Sequence, residues 1–238
     1  MKEVVVRTAR RGEIGKLVKL EEEIFKSEGI RTFDKSHFEA WFEINPEEIY
    51  VAEQGGFLVG YGYAQFINCD PESPDEIKKW TSFDAITDNG YTETTHCPNG
   101  NYRLGVSVGS LLPGAGRALV AKGFELAKTD GRPLLFMSRI SGLQAYFDGL
   151  PKNSSSAGDL NEIALSYILA CARMERASVN LLPGASQKTT DCLPELANPD
   201  PVLNKYLKNP RVQIWALLPN FLTDEASLNY NVLLGPAR

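Results

Sequence analysis

Tyr102-Arg103-Leu104-Gly105-Val106-Ser107-Val108 leads, two residues later, into Leu111-Leu112-Pro113-Gly114-Ala115-Gly116-Arg117-Ala118-Leu119-Val120. The first seven residues predict a strand, and Gly114 to Lys128 has the apolar spacing of an amphipathic helix. Pro133-Leu134-Leu135-Phe136-Met137-Ser138, behind Asp130-Gly131, predicts a second strand, so the segment reads as a β-α-β unit. Two glycines fall where the turn opens the helix. Glycine tolerates turn conformations and lets backbone approach a ligand closely. The unpaired amides of a first helical turn, at the positive end of the helix dipole, suit phosphate oxygens, and Arg117 adds charge.

By itself a G-x-G before a helix is a weak signal, because a tight turn that merely packs helix against sheet accounts for it equally well. Its surroundings narrow the choice. A dinucleotide fold requires a third glycine where Leu119 stands, and an acidic residue ending the next strand, which here ends Met137-Ser138-Arg139. A P-loop requires G-K-[ST], and the stretch has none.

Outward from this unit, Val4-Val5-Val6-Arg7 predicts a strand, Glu13 to Phe25 a helix, and Lys35 to Glu43 a second helix that stops before Pro46. Ile49 to Ala52 and Phe57 to Ile67, joined by Gln54-Gly55-Gly56, predict a β-hairpin. The stretch 68–101 is polar and too long for an ordinary connection, and Trp80, Phe83 and Ile86 within it favour an ordered insertion. A helix over Leu160 to Arg176, a Pro- and Asn-rich stretch, and closing strands at 212–218 and 230–234 complete the chain. Lys152 to Gly158 reads as a flexible loop.

The 238 residues suffice for a sizeable core, and one elaborated domain over 1–238 is preferred to two small ones. Apolar residues make up 43% and charged residues 23%, with no apolar run of membrane-spanning length, which implies a soluble protein and no membrane partner. A net charge of −5 argues against general nucleic-acid binding while leaving room for one local phosphate site. The amino terminus has no signal-peptide pattern, and the 4 cysteines, Cys69, Cys97, Cys171 and Cys192, form no C-x-x-C pair. The expectation is therefore a cytoplasmic protein with reduced thiols and no metal.

The order of elements resembles that of the GNAT acyltransferases. Their pyrophosphate motif, [RQ]-x-x-G-x-[GA], is similar to Leu111-Leu112-Pro113-Gly114-Ala115-Gly116, with Leu111 replacing the polar leader. The resemblance extends over about residues 1–150. It implies an α/β (α+β) fold with a mixed, mostly antiparallel central sheet flanked by helices, an insertion at 67–101 and an elaborated part at 151–238. A narrower pattern, Trp80…Thr87-Asp88-Asn89-Gly90…Thr95-His96-Cys97-Pro98-Asn99-Gly100-Asn101, resembles GNAT domains fused to nitrilase-like hydrolases and GNAT-like loading domains of polyketide synthases. Asp200-Pro201-Val202-Leu203 and Pro219 to Ser227 are similar to the same group.

The resemblance implies acetyl-CoA or another acyl-CoA as co-substrate. It would be held by the backbone of Val106 and Val108 beside the thioester, and by Leu111, Leu112, Gly114, Ala115, Gly116, Arg117 and Ala118 at the pyrophosphate. Tyr146 matches the place of the family's thiolate-protonating acid, although a core aromatic fits as well. His96 is preferred to His37 as a base because it lies in the polar insertion, against the alternative of a histidine capping a turn before Pro98. Trp80 is a candidate wall of the acyl pocket or an anchor of the insertion. Arg139 is a candidate phosphate or carboxylate contact or an ordinary surface arginine. Cys97 reads as an ordinary thiol. Where decarboxylating relatives carry a histidine after D-P-x-L-x-x, this chain has Tyr206, which argues against decarboxylation.

Three functions follow. The first is acyl transfer to an amine or thiol of a small molecule or an acyl carrier protein. The second is a loading enzyme acting on malonyl-CoA or a carrier phosphopantetheine. The third is a catalytically silent acyl-CoA sensor.

Overall fold

The computed structural model describes residues 3–25, 32–70, 73–150, 159–175, 193–198 and 200–237. Its contacts cluster into two compact units, residues 1–69 with 83–135 and residues 70–82 with 136–238. The insertion expected at 67–101 is thus shared between them. The loop at 152–158, most of the Pro- and Asn-rich stretch and Cys192 lie outside the described residues.

In the first unit β1 (Val4–Thr8), β2 (Ile49–Gln54), β3 (Phe57–Ile67) and β4 (Tyr102–Ser110) pair antiparallel in that order. The β2–β3 turn places Gly55 at φ 62° and Gly56 at φ 90°. Two consecutive positive φ angles match the twist of a tight hairpin and exclude most side chains, which is why two glycines stand there. One face of these strands receives α1 (Ile14–Phe25) and α2 (Lys35–Ile44). Leu17 and Leu20 of α1, Phe38 and Trp41 of α2, and Tyr61 and Tyr63 of β3 are all buried there. The Trp41 ring stacks on Tyr63 at 4.3 Å, and its Nε1 donates to the Gly90 carbonyl at 2.7 Å. On the other face, Ala115 and Leu119 of α5 (Pro113–Asp130) close over Ala52.

The insertion contains two short helices, α3 (Pro74–Ile77) and α4 (Phe83–Thr87), not foreseen from its polar composition. Its second half is fastened to the first unit by polar side chains. Thr87 Oγ1 donates to the Phe83 carbonyl and accepts from the Gly90 amide, and Thr95 Oγ1 donates to Gln65 of β3. Asn101 bonds both the amide and the carbonyl of Cys69 at 2.9 Å. At Gly90, φ is 93° and a Cβ would come within 2.5 Å of the Phe33 ring, so only glycine fits.

The strand β5 (Leu134–Arg139) starts in the first unit and ends in the second, where it pairs antiparallel with β7 (Asn231–Pro236), which pairs antiparallel with β6 (Val212–Leu218). The second unit also holds α6 (Leu143–Asp148), α7 (Leu160–Glu175) and α8 (Leu203–Leu207). Asp200, fully buried, joins all three helices: its carboxylate accepts from the Val202, Leu203 and Gly142 amides and from the Tyr167 hydroxyl. Within each unit these strands pair antiparallel and are accompanied by helices, in keeping with the mostly antiparallel sheet expected.

At the start of β4, Arg103 is buried between Glu48 and Asp130, bonding both Glu48 oxygens at 2.6 and 2.8 Å and Asp130 at 2.9 Å. Removing one member of such a cluster leaves uncompensated buried charge. Arg103→Ala is expected to cost about 3–5 kcal/mol of stability, measured by urea denaturation, whereas exposed Lys35→Ala should stay within about 0.5 kcal/mol.

Candidate functional site

The mouth of α5 is built from the end of β4. The Leu111 amide donates to the Val59 carbonyl at 2.9 Å, and Leu112 is extended, with φ −124° and ψ 131°. Pro113 then begins the helix, where its fixed φ suits the turn and its missing amide costs nothing. The Leu112 carbonyl accepts from Ala115 at 2.9 Å and Gly116 at 3.3 Å, and no side chain caps the helix. Helix α2 differs: the Asp34 carboxylate accepts from the Ser36 and His37 amides at its start. Among the described residues no side chain caps the first turn of α5, whose Ala115 and Gly116 amides donate to the Leu112 carbonyl.

The two glycines have separate reasons. Gly114 is exposed, and nothing lies within 4 Å of where its Cβ would be. At Gly116 a Cβ would meet Ser110 Oγ at 2.7 Å, so this glycine allows the helix to start hard against the strand. Arg117 is exposed beside the mouth, Leu111 is exposed, Ala115 is buried, and Leu112 and Ala118 are half-buried.

Alongside, β4 carries a bulge. Tyr63 pairs with Ser107 but Ala64 pairs with Gly105, leaving Val106 as the extra residue. A bulged residue drops out of the ladder and frees its backbone polar groups. Val106 itself is buried, while Val108 is 37% exposed.

Next to the bulge is a buried polar chain absent from the sequence reading. Tyr61 Oη donates to Glu21 Oε2 at 2.5 Å and lies 2.7 Å from Ser107 Oγ, while the Phe33 amide donates to Glu21 Oε1 at 3.0 Å. Glu21 is only 1% exposed, and burial lifts its carboxyl from the ordinary 4.5 to about 6. Burial first, and then the adjacent Glu21, push the Tyr61 phenol well up. One sequence signal existed: Glu21 falls on the apolar stripe of α1 with Leu17 and Leu20, where a carboxylate is out of place.

Of the other sequence candidates, His96 and Arg139 are engaged in hydrogen bonds, and Trp80 and Tyr146 belong to the second unit. The Phe66 amide donates to His96 Nδ1 at 3.2 Å, and burial, then Arg132, lower the imidazole pKa. That bond engages one ring nitrogen of His96 with the backbone of β3. Phe66 also pairs with Arg103, five residues before Val108, or about 16 Å along the strand. His96 acts as a fastener of the insertion.

Arg139 forms a two-pronged ion pair with buried Asp224, at 2.7 and 2.9 Å, which occupies the fork expected to meet a phosphate or carboxylate. Asp224 also accepts from Ser227, whose hydroxyl accepts from the Ile140 amide, so Arg139 belongs to a structural knot in the second unit. Tyr146, on α6 of that unit, is half-buried against Tyr167 at 5.0 Å, with burial raising its phenol pKa. Trp80 is half-buried, also in the second unit, just after α3. Tyr206 of α8 packs its ring against Phe136 at 5.0 Å. The Asn68 side chain donates to Cys97 Sγ at 3.1 Å.

This order of strands and helices around the opening of α5 defines the GNAT fold, and the resemblance drawn from the sequence holds at that level. The chain is similar over 98% of its length to the GNAT-like decarboxylase GphF in complex with isobutyryl-CoA, with a TM-score of 0.67, 15% identity and 98% of that chain covered. It is also similar to the loading GNATL domain of CurA from Lyngbya majuscula, with a TM-score of 0.64, 14% identity, and 98% and 97% of the two chains covered. No protein-family model matches the sequence, and no curated protein matches it.

A carboxyl raised to about 6 in the folded state makes the native protein hold a proton that the unfolded chain releases from about pH 4.5 upward. Glu21 should therefore reduce stability as pH rises through that window, by about 2 kcal/mol in all. Glu21→Gln is expected to remove this component, so variant and wild type should diverge in denaturation midpoint between pH 4.5 and 7.

Proposed function

We propose that this chain moves an acyl group from an acyl-CoA, acetyl-CoA or a longer one, to an amine or thiol acceptor by direct transfer. The observation that carries the reading is the uncapped first turn of α5, with open space at Gly114 and exposed Arg117 beside it. A phosphate group matches the Gly114 amide, the Arg117 guanidinium and that positive end of the dipole. The bulge at Val106 supports it, since freed strand backbone can bond a pantetheine arm and polarise a thioester carbonyl. In this reading Val106 and Val108 hold the arm, and Leu111 to Ala118 hold the pyrophosphate.

A second reading, a loading enzyme that passes acyl groups to a carrier pantetheine, is favoured by one observation. The full-length likeness to GphF and to the CurA loading domain includes residues 136–238, the part that sequence motifs cover least. Tyr206, where a histidine would be needed, weighs against decarboxylation. Malonyl-CoA incubated with a carrier protein should yield acyl-carrier by mass spectrometry if this second reading is right. Tight binding without transfer to any acceptor would favour the silent sensor.

Calorimetry tests the main reading. Acetyl-CoA is expected to bind with an affinity that falls as salt rises, because phosphate contacts are screened. Arg117→Ala should weaken binding about tenfold, the loss of one charge-assisted contact. Gly114→Val should abolish binding while the protein stays folded, since a side chain there meets only open space. No binding of acetyl-CoA, a longer acyl-CoA or an acyl carrier would overturn the proposal.

A further inference from the structure

We infer that Ser107, backed by Tyr61 and Glu21, is the proton outlet for the acceptor, a relay from the surface of β4 to a buried carboxylate. The inference rests on the acyl-transfer reading and concerns the same strand. It follows from hydrogen-bond directions. An ionised carboxylate only accepts, so the single Tyr61 proton must point at Glu21 Oε2, 2.5 Å away. The single Ser107 proton must then point at Tyr61 Oη, 2.7 Å away. Ser107 is half-buried, and this leaves its Oγ lone pairs as the free acceptor at the end of the chain, one residue past the bulge at Val106. A protonated Glu21 reverses every bond, and Ser107 becomes a donor. One buried proton thus decides whether the β4 surface accepts or donates.

The step balances as follows. The acceptor nitrogen or sulfur attacks the thioester carbon, a C–N or C–S bond forms, and the C–S bond to CoA breaks with its electron pair leaving on sulfur. The acceptor's proton passes to Ser107 Oγ as the Ser107 proton passes to Tyr61 and the Tyr61 proton to Glu21. Glu21 later returns its proton to water, and the CoA thiolate takes one up. Tyr61 never becomes a phenolate, consistent with its complete burial.

Among the described residues few other charges bear on Glu21. On α1, Glu22 and Glu23 are exposed; on α2, His37 is engaged by Asp34 and by the Asn89 carbonyl; on β3 the ionisable neighbour is Tyr61. On β4, Arg103 is locked to Glu48 and Asp130 at the far end. Above about pH 6 the carboxyl is ionised and the relay is set to accept.

The test uses the full chain, acetyl-CoA, and a panel of primary amines and thiols, with binding by calorimetry and turnover by thiol release. Glu21→Gln and Tyr61→Phe should bind acetyl-CoA as wild type does, lose about 10²-fold in kcat with little change in KM for acetyl-CoA, and lose the fall in rate below pH 6. Ser107→Ala should behave likewise, and Ser107→Thr, which keeps the hydroxyl, should restore most of the rate. Because Tyr61→Phe and Ser107→Ala leave the buried carboxyl in place, misfolding of Glu21→Gln would not decide the matter. Variants within a few-fold of wild type and with its pH profile would overturn the relay. Acetyl-CoA binding without turnover on any acceptor would also overturn it while sparing the binding half of the proposed function. Failure of wild type to bind any acyl-CoA would remove both.

Discussion

The first unit depends on the close approach of α5 to β4, where a Cβ at Gly116 would meet the Ser110 hydroxyl at 2.7 Å and make it turn aside. That approach lets Ala115 and Leu119 drop onto Ala52, which holds α5 flat across the strands. A capping side chain is worth about 1 kcal/mol, and α2 has one in Asp34. Helix α5 forgoes that stabilisation and begins with Pro113 instead. An unused cap beside a bulged strand is the arrangement expected where an anionic ligand, not the protein, completes the turn.

The motif residues that first suggested a narrower resemblance prove to be fasteners. Gly90, Thr95, His96 and Asn101 tie residues 83–101 to Trp41, Gln65, Phe66 and Cys69, while Thr87 bonds within the segment. Asp200 and Asp224 do the same work in the second unit, each with its carboxylate filled by amides, hydroxyls or a guanidinium. A buried polar group without a partner costs more than a made bond gains, so such knots demand particular residue types and spacings without any catalytic role. His96 and Arg139, each of which the sequence left open between a structural place and a chemical one, take part in such knots.

Glu21 is the converse case. Among the described residues its hydrogen-bond partners are Tyr61 and one amide, and holding it buried there costs stability once it ionises. A fold that needed only packing at this position of α1 would be served by leucine. Retaining a carboxyl beside the bulged strand fits a site whose proton inventory matters.

Local chemistry was legible in the chain itself. The double-glycine hairpin, the helical spacing of α1 and α2, and the strand-turn-helix at 102–130 depend on residues within a few positions of one another, and the structure places each within a residue or two of its expected bounds. The short helices α3, α4, α6 and α8 did not show, because segments of four to six residues are too brief for a period to emerge. Which polar side chains are engaged and which remain available was settled only in three dimensions. Glu21, Tyr61 and Ser107 sit on α1, β3 and β4, and Arg139 meets Asp224 across 85 positions of chain. Periodicity carries no information at that range; burial and hydrogen-bond satisfaction, which decide these pairings, exist only once the strands have been brought together.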